Sequence, residues 1–308
     1  MTYLPSLRQL RYLVAVADHR HFGRAAAACN VTQPTLSAGI KELEDSLEAA
    51  LVDRTSRQVV LTPLGRDIAE RARLLLHDAE ALVRAAKSAR APLTGTVHMG
   101  VIPTIGPFLL PRVLPQLRKA YPKLRLFLTE DLTERLVEQL HAGKLDVLLV
   151  ALPYACGNVE SVTLFEDRFS VACPRDSKLA TAPSIRPADV PPENLLLLQD
   201  GHCLREHALS ACRLTDKAHA EAFEATSLHT LVQMVDNGLG ITLLPQLAID
   251  AGILRGTRLV VRPLAAKQPS RDIGLVWRRG SGRREEFLLL ADELRKRAGV
   301  RTDAGAQR

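Results

Sequence analysis

The densest chemistry in the sequence lies at Asp200-Gly201-His202-Cys203-Leu204-Arg205, with a second thiol nine positions on at Cys212. With Asp200 as a helix N-cap, Cys203 falls in the first turn, where free amides and the helix dipole favour thiolate. His202 and Arg205 add positive charge or hydrogen bonds, while Asp200 and Glu206 oppose them. A thiolate attacks the O–O bond of a peroxide to give a sulfenic acid, which a second thiol converts into a disulfide. Cys212 is placed to be that second thiol.

Spacing makes the pair a conformational question. Nine helical steps span about 13.5 Å, whereas a disulfide needs Cα atoms roughly 4.4–6.8 Å apart. The two side chains also fall on opposite faces. If 203–212 is helical when reduced, a bridge requires local unwinding, and the bond then stabilises a different backbone. The residues alone leave three other readings open. They are incidental cysteines in one helix, a sensor of a small organic acid that ignores its thiols, and a thiol peroxidase.

The other cysteines read blandly. Cys29 closes an Ala-rich helix, Cys156 lies in a Tyr154-Ala155-Cys156-Gly157 turn, and Cys173 precedes Pro174. Five cysteines without a CxxC pair make a zinc ribbon or disulfide scaffold a poor fit. The nine histidines are scattered without ligand spacing, so neither metal nor cofactor is expected.

These groups must be positioned by a chain of 308 residues, long enough for two or three compact units. With 46% hydrophobic and 24% charged residues it matches neither a disordered chain nor a collagen-like fibre. No apolar run approaches the roughly 18 residues of a membrane span. The first apolar stretch, MTYLPSLRQLRYLVAV, is interrupted by charge and lacks a small-residue cleavage site. The expected setting is the reducing cytosol, with no membrane partner.

Around the cysteine pair, Val97–Ile102, Arg125–Leu128 and Leu145–Ala151 read as strands, with helices over Gly106–Ala120 and Leu132–His141 between them. This is a parallel β-α-β-α-β unit. A second set follows. Its strands are Phe169–Cys173, Asn194–Gln199, Ile241–Leu244 and Leu259–Arg262, and its helices are His202–Cys212 and Ser227–Asn237. Ile273–Trp277 and Glu285–Arg297 close the chain as strand and helix. Two α/β halves with a cleft are implied. Three strand-to-helix junctions should meet there, at 103–107, 130–133 and 199–203. Thr104 and Thr133 either offer hydroxyls to a small polar ligand or cap their helices.

The N-terminal segment has another character. Residues 6–18 read as a helix, followed by an Ala-rich helix ending near Asn30 and a third helix capped by Thr32 with Pro34 in its first turn. This is a helix-turn-helix, whose second helix enters a major groove of double-stranded DNA. Thr32, Gln33, Pro34, Thr35 and Ser37 lie at its exposed start, where Gln can pair with adenine. Arg54, Ser56 and Arg57 follow in a polar turn suited to a wing along phosphates. Charge agrees: residues 1–92 carry 13 Lys/Arg against 10 Asp/Glu, residues 93–277 carry 19 of each, and residues 278–308 carry 9 against 5.

From Gly65 to Ala89, apolar residues at Ile68, Ala72, Leu75, Ala79, Leu82 and Ala86 form a heptad seam opposite a charged face. A close helix pair, and so a symmetric dimer, is favoured over packing on its own domain. Pro92 and Gly95 mark a hinge.

Residues 6–65 resemble the winged helix-turn-helix of LysR-type transcriptional regulators, on FGRAAAACNVTQPTLSAGIKELE and DRTSRQVVLTPLG. Two departures stand out. Glu48 fills a turn where the family usually has Gly, and Gly39 stands where a polar residue is common, so Gly39 is not placed among the base readers. The resemblance extends over MGVIPTIGPFLLP (99–111), ATSLHTLVQMVDNGLGITLLP (225–245) and IGLVWR (273–278), and GHCLR with Cys212 is similar to the peroxide-sensing members of the family.

The resemblance implies an α + α/β architecture. Its parts are a winged helix-turn-helix over 1–65, a linker and dimerisation helix over 66–92, and a two-subdomain, periplasmic-binding-protein-like regulatory domain over 93–300. Subdomain I comprises 93–165 and 269–300, subdomain II comprises 166–268, and a basic tail covers 301–308. It further implies a non-enzymatic activator in which Cys203 reacts with hydrogen peroxide and Cys212 resolves, with Thr104, Thr133, His202 and Arg205 as polar support. A homotetramer built from dimers, recruitment of RNA polymerase, and a thioredoxin- or glutaredoxin-type reductant complete that picture.

Overall fold

The computed structural model describes residues 4–53, 59–88, 93–212, 224–264 and 270–298. Two compact units result. One is built on the first 92 residues with Gln139–Lys144 and Gly280–Arg283, the other on the rest.

In the first unit, α1 (Leu7–His19) starts at a reciprocal cap. The Gln9 amide donates to the Ser6 hydroxyl at 3.3 Å, and the Ser6 amide donates to the Gln9 side chain at 2.9 Å. Helix α2 (Phe22–Ala28) stops where Asn30 takes φ 56°, a left-handed turn that Asn tolerates. Helix α3 (Gln33–Leu47) is capped by the Thr32 hydroxyl, which accepts the Thr35 amide at 3.4 Å. Leu13, Val16, Ala25, Leu36, Ile40 and Leu43 form the core these three helices share.

Both family departures acquire physical meaning. Glu48 ends α3 with φ 51°, so a side chain occupies backbone that suits glycine. Gly39 is buried, and a Cβ there would stand 2.7 Å from the Tyr12 ring. It lets α1 approach α3 and faces inward, away from any groove.

Strands β1 (Val52–Asp53) and β2 (Val60–Leu61) pair antiparallel. The Glu44 carboxylate ties them to α3 by accepting the Leu51 and Val52 amides at 2.8 and 3.0 Å. The expected DNA contacts Arg54, Ser56 and Arg57 lie outside the described residues, as does the basic tail. At the head of α4 (Pro63–Ser88), the Thr62 hydroxyl donates to the Ala50 carbonyl and accepts the Gly65 amide, each at 2.9 Å. A Cβ at Gly65 would stand 2.0 Å from the Leu51 carbonyl oxygen. Thr-Pro-Leu-Gly is therefore the junction between wing and linker helix, and the helix starts at Pro63 rather than at 65 or 66.

The seam of α4 divides. Ala69 and Ala72 are buried in the core of the helix-turn-helix head, the part of the first unit built on α1 to α3, with Ile68 against it, and Arg73 pairs with Asp18 of α1 at 2.6 Å. Farther on, Leu75, Leu82 and Val83 are 55, 75 and 56% exposed.

The second unit opens with β3 (Gly95–Val101), α5 (Gly106–Ala120), β4 (Leu124–Glu130), α6 (Thr133–His141) and β5 (Val147–Leu152). Strand β3 lies parallel between β4 and β5, as expected. Strand β6 (Val159–Pro174) is much longer than Phe169–Cys173. Polar residues such as Glu160, Glu166 and Arg168 hid its first part.

Beyond β6 come β7 (Leu197–Leu198), α7 (Cys203–Cys212), β8 (Glu224–Ala225), α8 (Leu228–Asp236), β9 (Thr242–Pro245), α9 (Gln246–Asp250), β10 (Leu259–Pro263), β11 (Ser270–Arg278) and α10 (Arg284–Ala298). The strand expected over 194–199 shrinks to β7. Pro192–Asn194 winds into a 3-10 turn, and Leu195 makes a single bridge to Ile241. The large sheet runs β10-β6-β11-β5-β3-β4, with β9 also on β6. Strand β6 pairs with β11 through Arg168, then with β9 from Phe169 and β10 from Ser170. Among the described residues no helix is long and apolar enough to cross a membrane.

Candidate functional site

The three junctions expected to converge do so. Ile102, Pro103 and Thr104 after β3, Leu132 and Thr133 before and at the start of α6, and Gly201, His202 and Cys203 before and at the start of α7 line one crevice. It is too tight to hold a water molecule. Gly201 makes the approach with φ 88°, and a Cβ there would press on Leu132 at 3.0 Å.

Cys203 is the first residue of α7 and is 5% exposed. Asp200 does not cap this helix. It stands in the preceding turn and pairs with Arg205 Nε at 2.9 Å. Helix-end amides do not win at the thiol either. Burial pushes the Cys203 pKa up, opposed first by the Arg271 guanidinium and then by the Thr133 hydroxyl, while Glu206 adds to the rise. The cation that matters is therefore not one of those expected. Arg205 Nη1 donates to the Leu198 carbonyl at 3.2 Å and braces β7; its side chain is absent from the crevice lining. His202 does line the crevice, but burial lowers its pKa, so it contributes a neutral ring.

Arg271, which sequence reasoning missed, is fully buried in β11. Its Nε donates to Asp167 Oδ2 at 3.0 Å, its Nη1 to the Thr104 hydroxyl at 2.8 Å and its Nη2 to the Thr104 carbonyl at 3.0 Å. Asp167 also accepts the Leu247 amide at 2.9 Å. Burial pushes the Asp167 carboxyl up and Arg271 pulls it back down. This network ties β6, β11, α9 and the β3–α5 junction together behind the thiol. A signal was present. Arg271 alternates with Ile273, Leu275 and Trp277 on an apolar strand, where a cation is out of place unless paired.

The two threonines differ in their partners, for Thr104 is held by Arg271. Thr104 does not cap α5, whose N-cap position is Ile105 with no side-chain bond. Thr133 Oγ1 is buried and completes no hydrogen bond of its own, though it works on the Cys203 thiol in the direction of thiolate. Both hydroxyls belong to the crevice. Tyr154 also lies within electrostatic reach of Cys203 and of Cys156, with its pKa raised mainly by burial.

Cys212 ends the same helix, 3% exposed, and burial pushes its thiol to about 11. Both cysteines are free. One unbroken helix of ten residues joins them, which keeps the sulfurs out of bonding range. The remaining cysteines stay bland: Cys156 and Cys173 are buried and raised by desolvation, and Cys29 is half-buried at the end of α2. Among the described residues no cluster of three potential metal ligands occurs.

In the head, the start of α3 presents Gln33, Pro34 and Thr35 to solvent, with Ser37 half-buried. Thr32 is engaged as the cap, and its hydroxyl also meets that of Thr35 at 2.8 Å.

Known proteins match this arrangement along most of the chain. Residues 7–66 match the bacterial regulatory helix-turn-helix protein, lysR family, and residues 90–299 match the LysR substrate binding domain. The HTH-type transcriptional regulator EstR of Acinetobacter baylyi is 41% identical over 298 residues, covering 96% of this chain and 98% of the relative. The hydrogen peroxide-inducible genes activator of Escherichia coli O157:H7 is 42% identical over 292 residues, covering 95% of each. Full-length OxyR from Pseudomonas aeruginosa, in a variant form, superposes with a TM-score of 0.81 at 36% identity, covering 95% of this chain and 98% of that one.

Proposed function

This chain belongs to the LysR family of transcriptional regulators, and we propose that it is a DNA-binding activator that reads hydrogen peroxide through Cys203 and relays the reading by a Cys203–Cys212 disulfide. One observation carries this reading: a buried thiol, in a crevice it shares with Thr104, Thr133 and His202, sits on one continuous helix with a second free thiol.

The chemistry is a two-electron oxidation. Cys203 sulfur, as thiolate, attacks one oxygen of the peroxide, the O–O bond breaks, and the departing hydroxide takes up a proton to leave as water. Cys203 is then a sulfenic acid. Cys212 sulfur attacks the Cys203 sulfur, the S–S bond forms, the S–O bond breaks, and a second water leaves. Arg271 and Thr133 support negative charge on Cys203, and the Thr104 hydroxyl, accepting from Arg271, keeps its own proton to donate. Cys212 is a poor nucleophile in its buried socket and gains reactivity on leaving it. A thioredoxin- or glutaredoxin-type reductant resets the pair.

The tightness of the crevice favours a small oxidant over an organic acid. Ligand sites for metabolites hold roughly 300–1,000 Å³, and this one must open slightly to admit even peroxide. EstR carries no mention of peroxide in its name, and the paired free thiols on α7 support the peroxide reading over the organic-acid one.

At the DNA end, Gln33 is the principal base reader, Thr35 and Ser37 assist, and Pro34 packs at the groove. Arg54, Ser56 and Arg57 hold phosphates. The exposed seam of Leu75 and Leu82 pairs two chains, and dimers associate into a tetramer. We take the change of partner along β6 as the division between the two regulatory halves. RNA polymerase receives the output.

The test is a pair of variants. Cys203→Ser abolishes the peroxide-dependent change in DNA footprint, and an unaltered response refutes the assigned thiol. Cys212→Ser still forms sulfenic acid but no internal bridge, checked by peptide mapping. Gel shifts at two salt concentrations test the phosphate contacts; affinity indifferent to salt would count against them.

A further inference from the structure

We propose that His207 couples the thiol switch to proton uptake: half-buried against Phe169 in the reduced protein, it leaves that contact when Cys203 joins Cys212, and acid then favours the oxidised form. This rests on the disulfide reading above.

His207 lies between the two cysteines, one helical turn after Cys203 and on the same side of α7. Its ring tilts against Phe169 of β6, with centroids 6.3 Å apart. Its Nδ1 is buried with no hydrogen-bond partner. The Arg271 guanidinium from β11 sits over the same Phe169 ring, 5.9 Å from its centroid. The other charged groups around α7 are committed elsewhere. Asp167 of β6 holds Arg271 and the Leu247 amide. Asp189, in the turn packed on α7, pairs with Arg186 at 2.8 Å. Strand β7 supplies leucines, and Glu206 of α7 itself is exposed. The imidazole thus faces an aromatic ring and a cation.

A ten-residue helix cannot bring its two ends together while it stands, so the bridge must disturb the segment holding His207. Burial first, and Arg271 second, depress the His207 pKa to about 4, against an ordinary value of 6.5. The sign follows. Between these values the released ring binds a proton and the socketed ring does not, so falling pH favours the unwound state. Above them both forms are neutral, and below them both are charged.

Peroxide oxidation of two thiols to a disulfide and two waters neither releases nor consumes net protons. Any uptake therefore reports the protein. The experiment adds stoichiometric hydrogen peroxide to the reduced full-length protein in weakly buffered solution with a pH-indicator dye, and counts thiols in parallel. Uptake of about 0.9 proton per chain is expected at pH 5.5 and about 0.1 at pH 7.5, with the pH 5.5 signal lost in His207→Gln. Bridge formation without uptake overturns the inference, as does equal uptake in His207→Gln. Failure to form the bridge overturns the disulfide reading itself. His202, whose pKa burial also lowers, is separated by His202→Gln, which should keep the pH 5.5 uptake; loss of the uptake in that variant overturns the assignment to His207.

Discussion

Helix α3 runs fifteen residues from a hydroxyl cap, buries Leu36, Gly39, Ile40 and Leu43, and turns Gln33 and Thr35 outward. Helix α7 runs ten residues, buries seven of them around its circumference, and has a thiol at each end. The first carries its own start signal and one apolar face. The second is shorter than the roughly 12–15 residues at which isolated helices become stable, and stands because its surroundings hold it. A recognition element must keep its shape, whereas a sensing element must lose its shape at modest cost. The two constructions match those needs.

That contrast can be attacked at three places. Arg271→Met leaves Asp167 buried without its cation and removes the anchor behind the crevice. It should destabilise the regulatory unit by about 3–5 kcal/mol in urea unfolding and slow peroxide oxidation of Cys203, with the head's own transition unmoved. Ser210→Pro removes a helix bond from α7 at a cost of about 3 kcal/mol. It should shift the reduced protein toward the oxidised footprint without peroxide. The matching Lys41→Pro in α3 should abolish DNA binding. A folded, reduced Ser210→Pro protein with an unchanged footprint would break the contrast.

Smaller changes sharpen it. Thr32→Ala should cost about 1 kcal/mol of stability through the lost cap, weakening gel shifts while leaving their salt slope unchanged. Glu48→Gly should raise thermal stability by about 0.5–1 kcal/mol, because glycine accepts the left-handed turn that closes α3.

The same contrast explains what the sequence revealed. The head was legible because each of its signals is local. Thr32, Asn30, Pro34 and the apolar stripe act within a few residues of where they stand. Helix α5 was legible to the residue for the same reason. The thiol pair and the meeting of three junctions were also readable, since strand-to-helix order implies them. What escaped was long-range. Arg271 reaches Cys203, Thr104 and Asp167 from far along the chain, and its pairing with Asp167 spans 104 positions. Local reasoning instead assigned the charge to the neighbours His202 and Arg205, of which one is neutral and the other faces β7. The rise in the Cys203 pKa escaped too, because burial outweighs the helix end only once packing is known.

The most direct test is hydrogen–deuterium exchange over residues 203–212 in the full-length protein, reduced and after stoichiometric peroxide. Protected amides are expected in the reduced form, and fast exchange once peptide mapping finds the Cys203–Cys212 bridge. A bridged protein whose α7 amides stay as protected as before would contradict this expectation.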